Sequence, residues 1–484
     1  MDEKIYIQKL LEAKGFTIDR HNQYMLDNFI AAPENIAAAA TILEQQQYIM
    51  SQWEINNSIA AINSLHIQIP NAKVGKPYSA VIDLKRLGLD ELALCEWQGL
   101  EALGLSYNAE TATIEGIPVQ SGDLKFQLHF KVKGEAATAA PHIKDILLVV
   151  NADPKTLWKD IASDSNAPFW KVDDDKAQAP LGDKHIVVAS NRGRSHENTG
   201  AFRDDDFAFE PLANGWSVAA VSDGAGSYSL SRRGAQLACQ AIVAFFEQQS
   251  EPEQMAQLEE KINRYGTSKE EGLWKEIEVE AKQKLYKAVV HAHNTIKQEA
   301  EATQQSHPEL FNNPKAKTLM DYYHATLIFT LFKKFDFGYI IMSFGVGDCP
   351  IAVMNKDKTA TKLLNTLDVG EFGGGTRFLT QTDIFQPDAK PLTMAERFTI
   401  LAIEDFSYLF LMTDGIYDAK FVVEANLEKH DKWLEFVSDL EGNNEEQQKV
   451  DLSPENPNAA TELASWMDFW SPGNHDDRTL AIIF

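Results

Sequence analysis

Five times between residues 200 and 480, aspartate interrupts an apolar, strand-like stretch of this sequence, usually beside glycine. The positions are Asp204, Asp205 and Asp206 in "GAFRDDDFAF", Asp223 in "VSDGAGS", Asp348 in "FGVGDCPIAV", Asp414 in "LFLMTDGIYD", and Asp476 and Asp477 in "GNHDDRTLAIIF". A carboxylate at the end of a buried strand costs stability unless it is paired, hydrated or bound to a metal. One such Asp-Gly pair is an ordinary turn. Five in one region predict convergence on a hard cation such as Mg²⁺ or Mn²⁺.

No cluster of softer ligands competes with these carboxylates. Cys95, Cys239 and Cys349 are widely separated and form no Cys-x-x-Cys pair. His291 and His293 lie two apart on a predicted helix, so they face different sides. The sequence therefore does not predict a zinc site, and three scattered cysteines indicate a reducing compartment without a disulfide framework.

Charge and hydropathy exclude some classes of protein. The 484 residues include 45 Lys and Arg against 71 Asp and Glu, a net charge of −26, which argues against nonspecific nucleic-acid binding. The beginning, "MDEKIYIQKLLEAKGF", has no signal-peptide pattern, and no run approaches the roughly 20 apolar residues of a membrane span. We expect a cytoplasmic protein that binds neither nucleic acid nor a membrane.

Residues 185–484 carry the acidic motifs on a mixed pattern of strands and helices. Stretches such as "WSVAAVS", "ATLIFTLF", "YLFLMT" and "TLAIIF" predict strands, and "SRRGAQLACQAIVAFFEQQ" and "GLWKEIEVEAKQKLYKAVVHAHNTIKQEAE" predict two consecutive long helices. Runs of strands around paired helices indicate an α+β domain with largely antiparallel sheets.

Three segments precede this domain. Apolar residues at three-to-four spacing predict a helical module over residues 1–62, and short alternating strands with Gly, Pro and Asn turns predict an all-β sandwich over 63–152. Residues 153–184 are polar and contain proline, which predicts a linker. Its acidic run, Asp173 to Asp175, could hold a cation, but we expect a solvated loop.

The β segment resembles the immunoglobulin-like repeats of bacterial proteins. The repeat pattern is matched by Gly104, Leu105, Ser106, Ile114, Gly116, Pro118 and Gly122. The resemblance covers about 80 residues and implies a binding or spacing module rather than an active site.

The acidic region, 185–484, resembles the type-2C, metal-dependent (PPM) family of Ser/Thr protein phosphatases, in particular a bacterial branch. Its motifs are matched in order by Gly193, Ser195, His196, Gly200 and Asp204-Asp205, then Asp223 to Ser227, Gly347-Asp348, Thr413 to Gly415, and Asp476 to Thr479. The resemblance implies a four-layer αββα sandwich that hydrolyses phosphoserine and phosphothreonine with a water activated by two Mn²⁺ or Mg²⁺ ions. The implied substrate is a phosphoprotein, such as a Ser/Thr kinase or its targets.

The same resemblance implies which residues hold the ions. Asp223 and the Gly224 carbonyl would bridge them, Asp414 and Asp476 would complete one shell, and Asp204 or Asp205 would support the other. Asp348 with Asp414 would hold a weaker third ion.

Two positions depart from the family pattern. Ala225 stands where many members have a histidine proposed as general acid, so the leaving-group proton would come from water or from His196. Gly200 stands where the phosphate-binding arginine is expected, so Arg192, Arg194 or Arg203 could substitute, with a surface or structural role as the equal alternative for each. The residues assigned to catalysis are Asp205, Asp223, His196, Arg194 and Arg203.

The glycine-rich segment 367–380, "LDVGEFGGGTRFLT", lacks the Gly-Lys-Ser/Thr of a nucleotide P-loop. It lies where the family has a variable flap, and we expect a substrate-facing loop, with an ordinary surface loop as the alternative. Two functions from other classes also remain open: a silent phosphatase fold that serves as a binding module, and a phosphatase of a small phosphorylated metabolite.

Overall fold

A computed structural model describes residues 2–153, 158–248, 252–368 and 375–484. The chain divides into two compact units, Met1–Leu157 and Trp158–Phe484. Each unit has its own core.

The first unit combines three helices with two small sheets. Its elements are α1 (Glu3–Ala13), α2 (Gln23–Ala31), α3 (Pro33–Ser64), β1 (Ala72–Lys73), β2 (Tyr78–Val81), β3 (Leu94–Gln98), β4 (Leu105–Asn108), β5 (Thr113–Gly116), β6 (Gly122–Lys131) and β7 (His142–Asn151). One sheet has the order β1-β7-β6-β3 and the other β2-β5-β4. Ile62 at the end of α3 packs in one core with Trp97, Ile114 and Phe126. The expectation of N-terminal helices followed by β-sheets is confirmed.

The second unit contains the remaining helices and strands. They are β8 (Asp175–Leu181), β9 (Lys184–Asn191), α4 (Arg194–Glu197), β10 (Asp206–Pro211), β11 (Ser217–Ser222), α5 (Ser231–Gln248), α6 (Pro252–Ser268), α7 (Glu271–Ser306), β12 (Leu327–Phe335), β13 (Gly338–Val346), β14 (Ile351–Asn355), β15 (Thr361–Leu363), β16 (Phe398–Ile403), β17 (Phe406–Met412), α8 (Asp414–Phe421), α9 (His430–Leu440), α10 (Ala459–Trp466) and β18 (Arg478–Ile483).

These elements stack in four layers. The two sheets run β10-β11-β12-β13-β16 and β15-β14-β17-β18-β9-β8, and their neighbouring strands pair antiparallel. Apolar side chains such as Val188, Val221 and Leu409 fill the space between the sheets. Helices α5 to α7 cover the first sheet, and α8 to α10 cover the second. The α+β expectation is confirmed for this unit.

The segment predicted as a linker differs in the structure. Residues 158–184 belong to the second unit, and β8 pairs with β9 from Asp175 opposite Ser190 to Leu181 opposite Lys184. The two-residue Gly-Asp turn between them is a hairpin signal. Pro180 in β8 concealed that strand, because proline is tolerated only in an edge strand such as this one.

The acidic run is exposed at Asp174 and enters β8 at Asp175, but it also makes specific contacts with Arg192. Asp174 accepts a hydrogen bond from the Arg192 main chain at 2.9 Å, and an Asp173 carboxylate oxygen lies 3.3 Å from the Arg192 guanidinium. Both carboxylates therefore help to attach residues 158–174 to Arg192, which directly precedes the Gly193-to-Asp205 motif.

Helix α6 was missed from the sequence, although Met255, Leu258 and Ile262 give it an apolar face that is fully buried. The two predicted long helices correspond to α5 and α7. Part of the predicted flap, residues 369–374, lies outside the described residues, so the expectation for it stays a prediction. Among the helices that the structure describes, none is long and apolar enough to span a bilayer.

Two helical glycines, one in α5 and one in α7, should differ in how well they tolerate a side chain. A Cβ added at Gly234 would lie 2.1 Å from the Tyr323 carbonyl oxygen, whereas one added at Gly272, near the start of α7, would meet nothing within 4 Å. We expect Gly234→Ala to lower the free energy of unfolding by roughly 1–3 kcal/mol through overpacking. Gly272→Ala should leave it unchanged or raise it by less than about 1 kcal/mol. Urea unfolding of the two variants checks this, and equal stability would contradict the packing of α5.

Candidate active site

Antiparallel pairing brings the acidic motifs to one end of the two sheets. In the first sheet, Asp206 begins β10 opposite Ser222 at the end of β11, and Asp223 follows directly. In the second sheet, the end of β17 pairs with the start of β18, so Asp414 and Asp477 flank neighbouring strands. Asp348 follows β13, whose end pairs with the start of β12. The sequence pattern of aspartates at strand ends thus becomes a spatial cluster.

Asp477 is the structural centre of the first motif. Its carboxylate accepts hydrogen bonds from the main chain of Gly193 at 2.6 Å, from the main chain of Asp204 at 2.5 Å, and from His196 Nδ1 at 3.0 Å. Burial alone would raise the pKa of Asp477, but the bond and charge of His196 and the two amides lower it. The sequence assigned Asp476 to the metal and gave its neighbour no role. The second Asp of the pair was the available signal.

The Gly-x-Ser-His motif, Gly193 to His196, also contacts the residues around Asp477. The Ser195 hydroxyl donates to the His475 carbonyl at 2.8 Å, and a Cβ at Gly193 would lie 2.3 Å from the Asp476 carbonyl carbon. The motif therefore attaches the loop before α4 to the residues before β18.

Asp205 has one carboxylate oxygen occupied and one free. Its Oδ2 accepts hydrogen bonds from the hydroxyls of Thr413 and Thr479, each at 2.8 Å, while its buried Oδ1 has no hydrogen-bond partner. Burial and the charge of Asp477 raise the pKa of Asp205 to about 7. A buried carboxylate oxygen without a protein donor is suited to bind a cation or a water. Neither threonine was assigned a role from sequence, although both stand inside the matched motifs.

Asp223 and Asp414 are surrounded by other carboxylates. Burial raises the pKa of Asp223 well above its usual value, and the charges of Asp414, Asp205, Asp476 and Asp348 raise it further. The pKa of Asp414 is raised in the same way, by burial and then by Asp348 and Asp476. Such mutual repulsion is unfavourable unless protons or cations neutralise it.

The remaining predicted ligands join this cluster from two sides. Asp348 accepts from the Thr376 hydroxyl at 2.5 Å through Oδ2, and its buried Oδ1 has no partner. Asp476 reaches solvent, and its pKa is raised by burial and by Asp477. Burial and Asp477 raise the pKa of Asp204 to about 7. Asp418, which the sequence analysis missed, is a further neighbour, because burial and Asp348 raise its pKa.

Two glycines allow the main chain to approach the cluster. A Cβ at Gly224 would lie 2.9 Å from the Asp204 carbonyl oxygen, and one at Gly415 would lie 2.0 Å from the Asp477 carbonyl oxygen. The Asp-Gly pairs are thus needed for contact between motifs, which is a stronger requirement than an isolated turn would impose.

His196 lies between Asp477 and Asp204. A candidate ligand atom from each of these three residues lies within 4.8 Å of the other two. Burial lowers the pKa of His196, but the hydrogen bond and charge of Asp477, with Asp204, raise it to about 9. His196 is therefore a cation and a proton donor at neutral pH in the metal-free protein.

The candidate phosphate-binding arginines are all held by protein partners. Arg203 is 1% exposed and donates to the Ser190 hydroxyl at 2.5 Å and to the Asp205 carbonyl at 2.9 Å. Arg192 donates to the Ala201 carbonyl, and Arg194 is paired with Asp468. The expectation that Arg203 contacts a phosphate is wrong, because its buried guanidinium is used to hold the acidic motif. Arg194 stays a prediction.

The donor set fits hard divalent ions. Carboxylate oxygens without donors, and raised pKa values caused by neighbouring carboxylates, are the features that Mg²⁺ or Mn²⁺ would satisfy. Cys349 Sγ also lies within 4.8 Å of the Asp223 and Asp348 ligand atoms, but burial raises its thiol pKa strongly, so it stays protonated.

Comparison with solved structures gives distant likenesses. The serine/threonine phosphatase Stp1 from Staphylococcus aureus is 11% identical, with a TM-score of 0.33, over 64% of this chain and 96% of that chain. The catalytic domain of the phosphatase PstP, solved with two manganese ions, is 15% identical, with a TM-score of 0.34, over 62% and 96%. Phosphatase 2C from Toxoplasma gondii is 12% identical, with a TM-score of 0.36, over 64% and 98%.

No curated protein matches the sequence. The family model described as protein phosphatase 2C matches residues 192–468, more than half of the chain. The chain therefore belongs to the protein phosphatase 2C family.

Proposed function

We propose that the second unit is a metal-dependent protein phosphatase that hydrolyses phosphoserine and phosphothreonine. The observation that carries the proposal is the convergence of five aspartates with raised pKa values on one site, two of which, Asp205 and Asp348, have an unpartnered buried oxygen. The five are Asp205, Asp223, Asp348, Asp414 and Asp476. Membership of the protein phosphatase 2C family supports the reaction class.

In this proposal the site holds two Mn²⁺ or Mg²⁺ ions. Asp223, the Gly224 carbonyl, Asp414, Asp476 and Asp205, aided by Asp204, would supply their ligands. Asp348 with Asp414 would hold a third. When bound, such ions make a water more acidic and offset the negative charge of the phosphoryl oxygens.

The chain's own residues orient these ligands and supply protons. Thr413 and Thr479 fix the Asp205 carboxylate so that Oδ1 stays available. Asp477 accepts a hydrogen bond from His196, which holds the ring in place, and raises the pKa of His196. With Ala225 after Asp-Gly, the proton for the leaving serine or threonine oxygen comes from His196 or from water.

The first unit would select the partner. We propose that the β-sheets of residues 63–152 act as an immunoglobulin-like binding or spacing module, supported by the repeat pattern from Gly104 to Gly122. The proposed substrate is a cytoplasmic phosphoprotein, a Ser/Thr kinase or one of its targets.

Activity tests this proposal directly. We expect the full chain to hydrolyse p-nitrophenyl phosphate and a phosphothreonine peptide with millimolar Mn²⁺ and to lose activity in EDTA. Asp223→Ala should reduce activity by about 100-fold or more, because it removes the residue that would face both ions.

Asp336→Ala is the matched control, because Asp336 is also an aspartate at a strand end but lies exposed in the turn between β12 and β13. It should retain full activity. A folded wild-type chain that hydrolyses neither substrate would contradict the proposal and favour a silent binding module. Hydrolysis of small phosphate esters alone would favour a metabolite phosphatase.

Thermal stability should depend on pH in a way that Mn²⁺ reverses. The folded-state pKa values of Asp204 and Asp205, about 7, exceed the unfolded value of 3.8, so the metal-free folded state binds more protons and loses stability as pH rises from about 4 to 7. His196, raised from 6.5 to about 9, acts in the same direction up to pH 9. We expect the increase in Tm from EDTA to Mn²⁺ to be larger at pH 8 than at pH 6. Equal increases at both pH values would show that the ions do not bind at these groups.

A further inference from the structure

Lys171 is a buried lysine that precedes the family-matched residues 192–468 and lies in the segment predicted as a linker. Its side chain is 7% exposed. Its ammonium donates to the Asp205 carbonyl oxygen at 2.5 Å and to the Asp206 carboxylate at 2.8 Å. A lysine from outside the matched region thus lies directly behind the acidic motif.

Burying this ammonium carries a cost that its partners must offset. Burial, and then the charge of Arg203, lower the pKa of Lys171 below its usual value. The charges of Asp206 and Asp204 and the hydrogen bond that Lys171 donates to Asp206 offset only part of this. A buried charge is stable only when it is paired and hydrogen-bonded. If Lys171 only filled space, an apolar side chain would serve as well. The ammonium is therefore explained by the two oxygen atoms to which it donates hydrogen bonds.

The ammonium holds the turn that carries Asp204 and Asp205. The Asp205 carbonyl also accepts from Arg203, and the Asp206 carbonyl accepts from the Cys239 thiol of α5 at 3.5 Å. On the other side of the turn, Asp477 fixes the Asp204 amide. Hydrogen bonds therefore fix this segment of main chain on both sides, and the unpartnered Oδ1 of Asp205 is held in position.

The segment around Lys171 is attached along its length. The Ile161 amide donates to the Glu197 carbonyl at 2.9 Å, and the Pro168 and Phe169 carbonyls accept from the Arg232 guanidinium at 2.9 and 3.3 Å. Lys171 thus belongs to a docked strap, residues 158–174, that contacts α4 and the start of α5.

We propose that Lys171 is a positioning residue for the metal centre. It holds the Asp205 carbonyl and the Asp206 carboxylate so that the Asp205 carboxylate presents its free oxygen to an ion, and its charge offsets part of the repulsion among the carboxylates. This inference rests on the proposed function and extends the working site to residues before the family-matched region.

The test compares three variants of the full chain. Lys171→Met keeps the aliphatic stem and removes the ammonium, and Lys171→Arg keeps the charge. Lys184→Met is the matched control, because Lys184 is also a largely buried lysine that donates to a carboxylate, Asp405, and a carbonyl, Phe406, but it lies at the start of β9 away from the acidic motifs.

The measurement is calorimetric titration with Mn²⁺, which requires no activity. We expect Lys171→Met to weaken the binding of at least one Mn²⁺ by about tenfold, the effect typical of losing a residue that orients metal ligands. Lys171→Arg should recover part of that loss, and Lys184→Met should bind Mn²⁺ like the wild type. In phosphatase assays, Lys171→Met should lower kcat at limiting Mn²⁺ with little change in KM.

The outcomes separate this inference from the proposed function. One outcome is that Lys171→Met binds Mn²⁺ like the wild type and loses as much Tm as Lys184→Met. That result would show a structural role for Lys171 and would overturn this inference but not the proposed function. If Lys171→Met does not fold, Lys171→Gln, which keeps a donor and removes the charge, replaces it, and wild-type Mn²⁺ affinity in the folded Lys171→Gln overturns the inference. An inactive wild type that binds Mn²⁺ would overturn the phosphatase proposal while the comparison of affinities still tests Lys171.

Discussion

Repulsion among buried carboxylates is the constraint on which the second unit depends. Asp205, Asp223, Asp348 and Asp414 are each largely removed from solvent. Asp205, Asp348 and Asp414 all raise the pKa of Asp223, and Asp205 and Asp348 also raise that of Asp414. A fold gains nothing in stability from such an arrangement, since every ionised member penalises its neighbours. The cluster is therefore best explained as a binding site for cations. The stability that the repulsion costs the metal-free fold is the consequence of keeping that site.

The surrounding structure holds the carboxylates without neutralising them. Hydroxyls of Thr413 and Thr479 and main-chain contacts of Asp477 and Lys171 fix position, yet they leave Oδ1 of Asp205 without a donor. The antiparallel sheets contribute the coarse geometry, because strands that end and begin at the same edge bring together residues far apart in sequence. Glycines beside the aspartates permit the close main-chain approach that completes the site.

Much of this organisation could be predicted from the sequence, because it depends on local patterns. Aspartates at strand ends, the two long helices and the α+β class follow from periodicity and turn residues. The misread parts depend on tertiary contacts: β8 contains a proline that only an edge strand tolerates, and Arg203 is used by the main chain of Asp205 rather than by substrate. For Asp477 the only local signal is its place as the second Asp of a pair, because its partners Gly193 and Asp204 lie far away in the sequence. Lys171, in a polar, linker-like segment, has no local signal for its contacts with the Asp205 carbonyl and the Asp206 carboxylate.

Electron paramagnetic resonance of the full chain titrated with Mn²⁺ tests the central claim most directly, because it reports both the number of ions and the distance between them. The account predicts two Mn²⁺ per chain with a spin-coupled spectrum, which requires ions that share ligands at a separation of roughly 3.5–4 Å. Asp223→Ala should abolish the coupling. A spectrum of isolated, uncoupled Mn²⁺, or no tight Mn²⁺ binding at neutral pH, would contradict the account. The carboxylate cluster would then not be explained by a pair of bound cations.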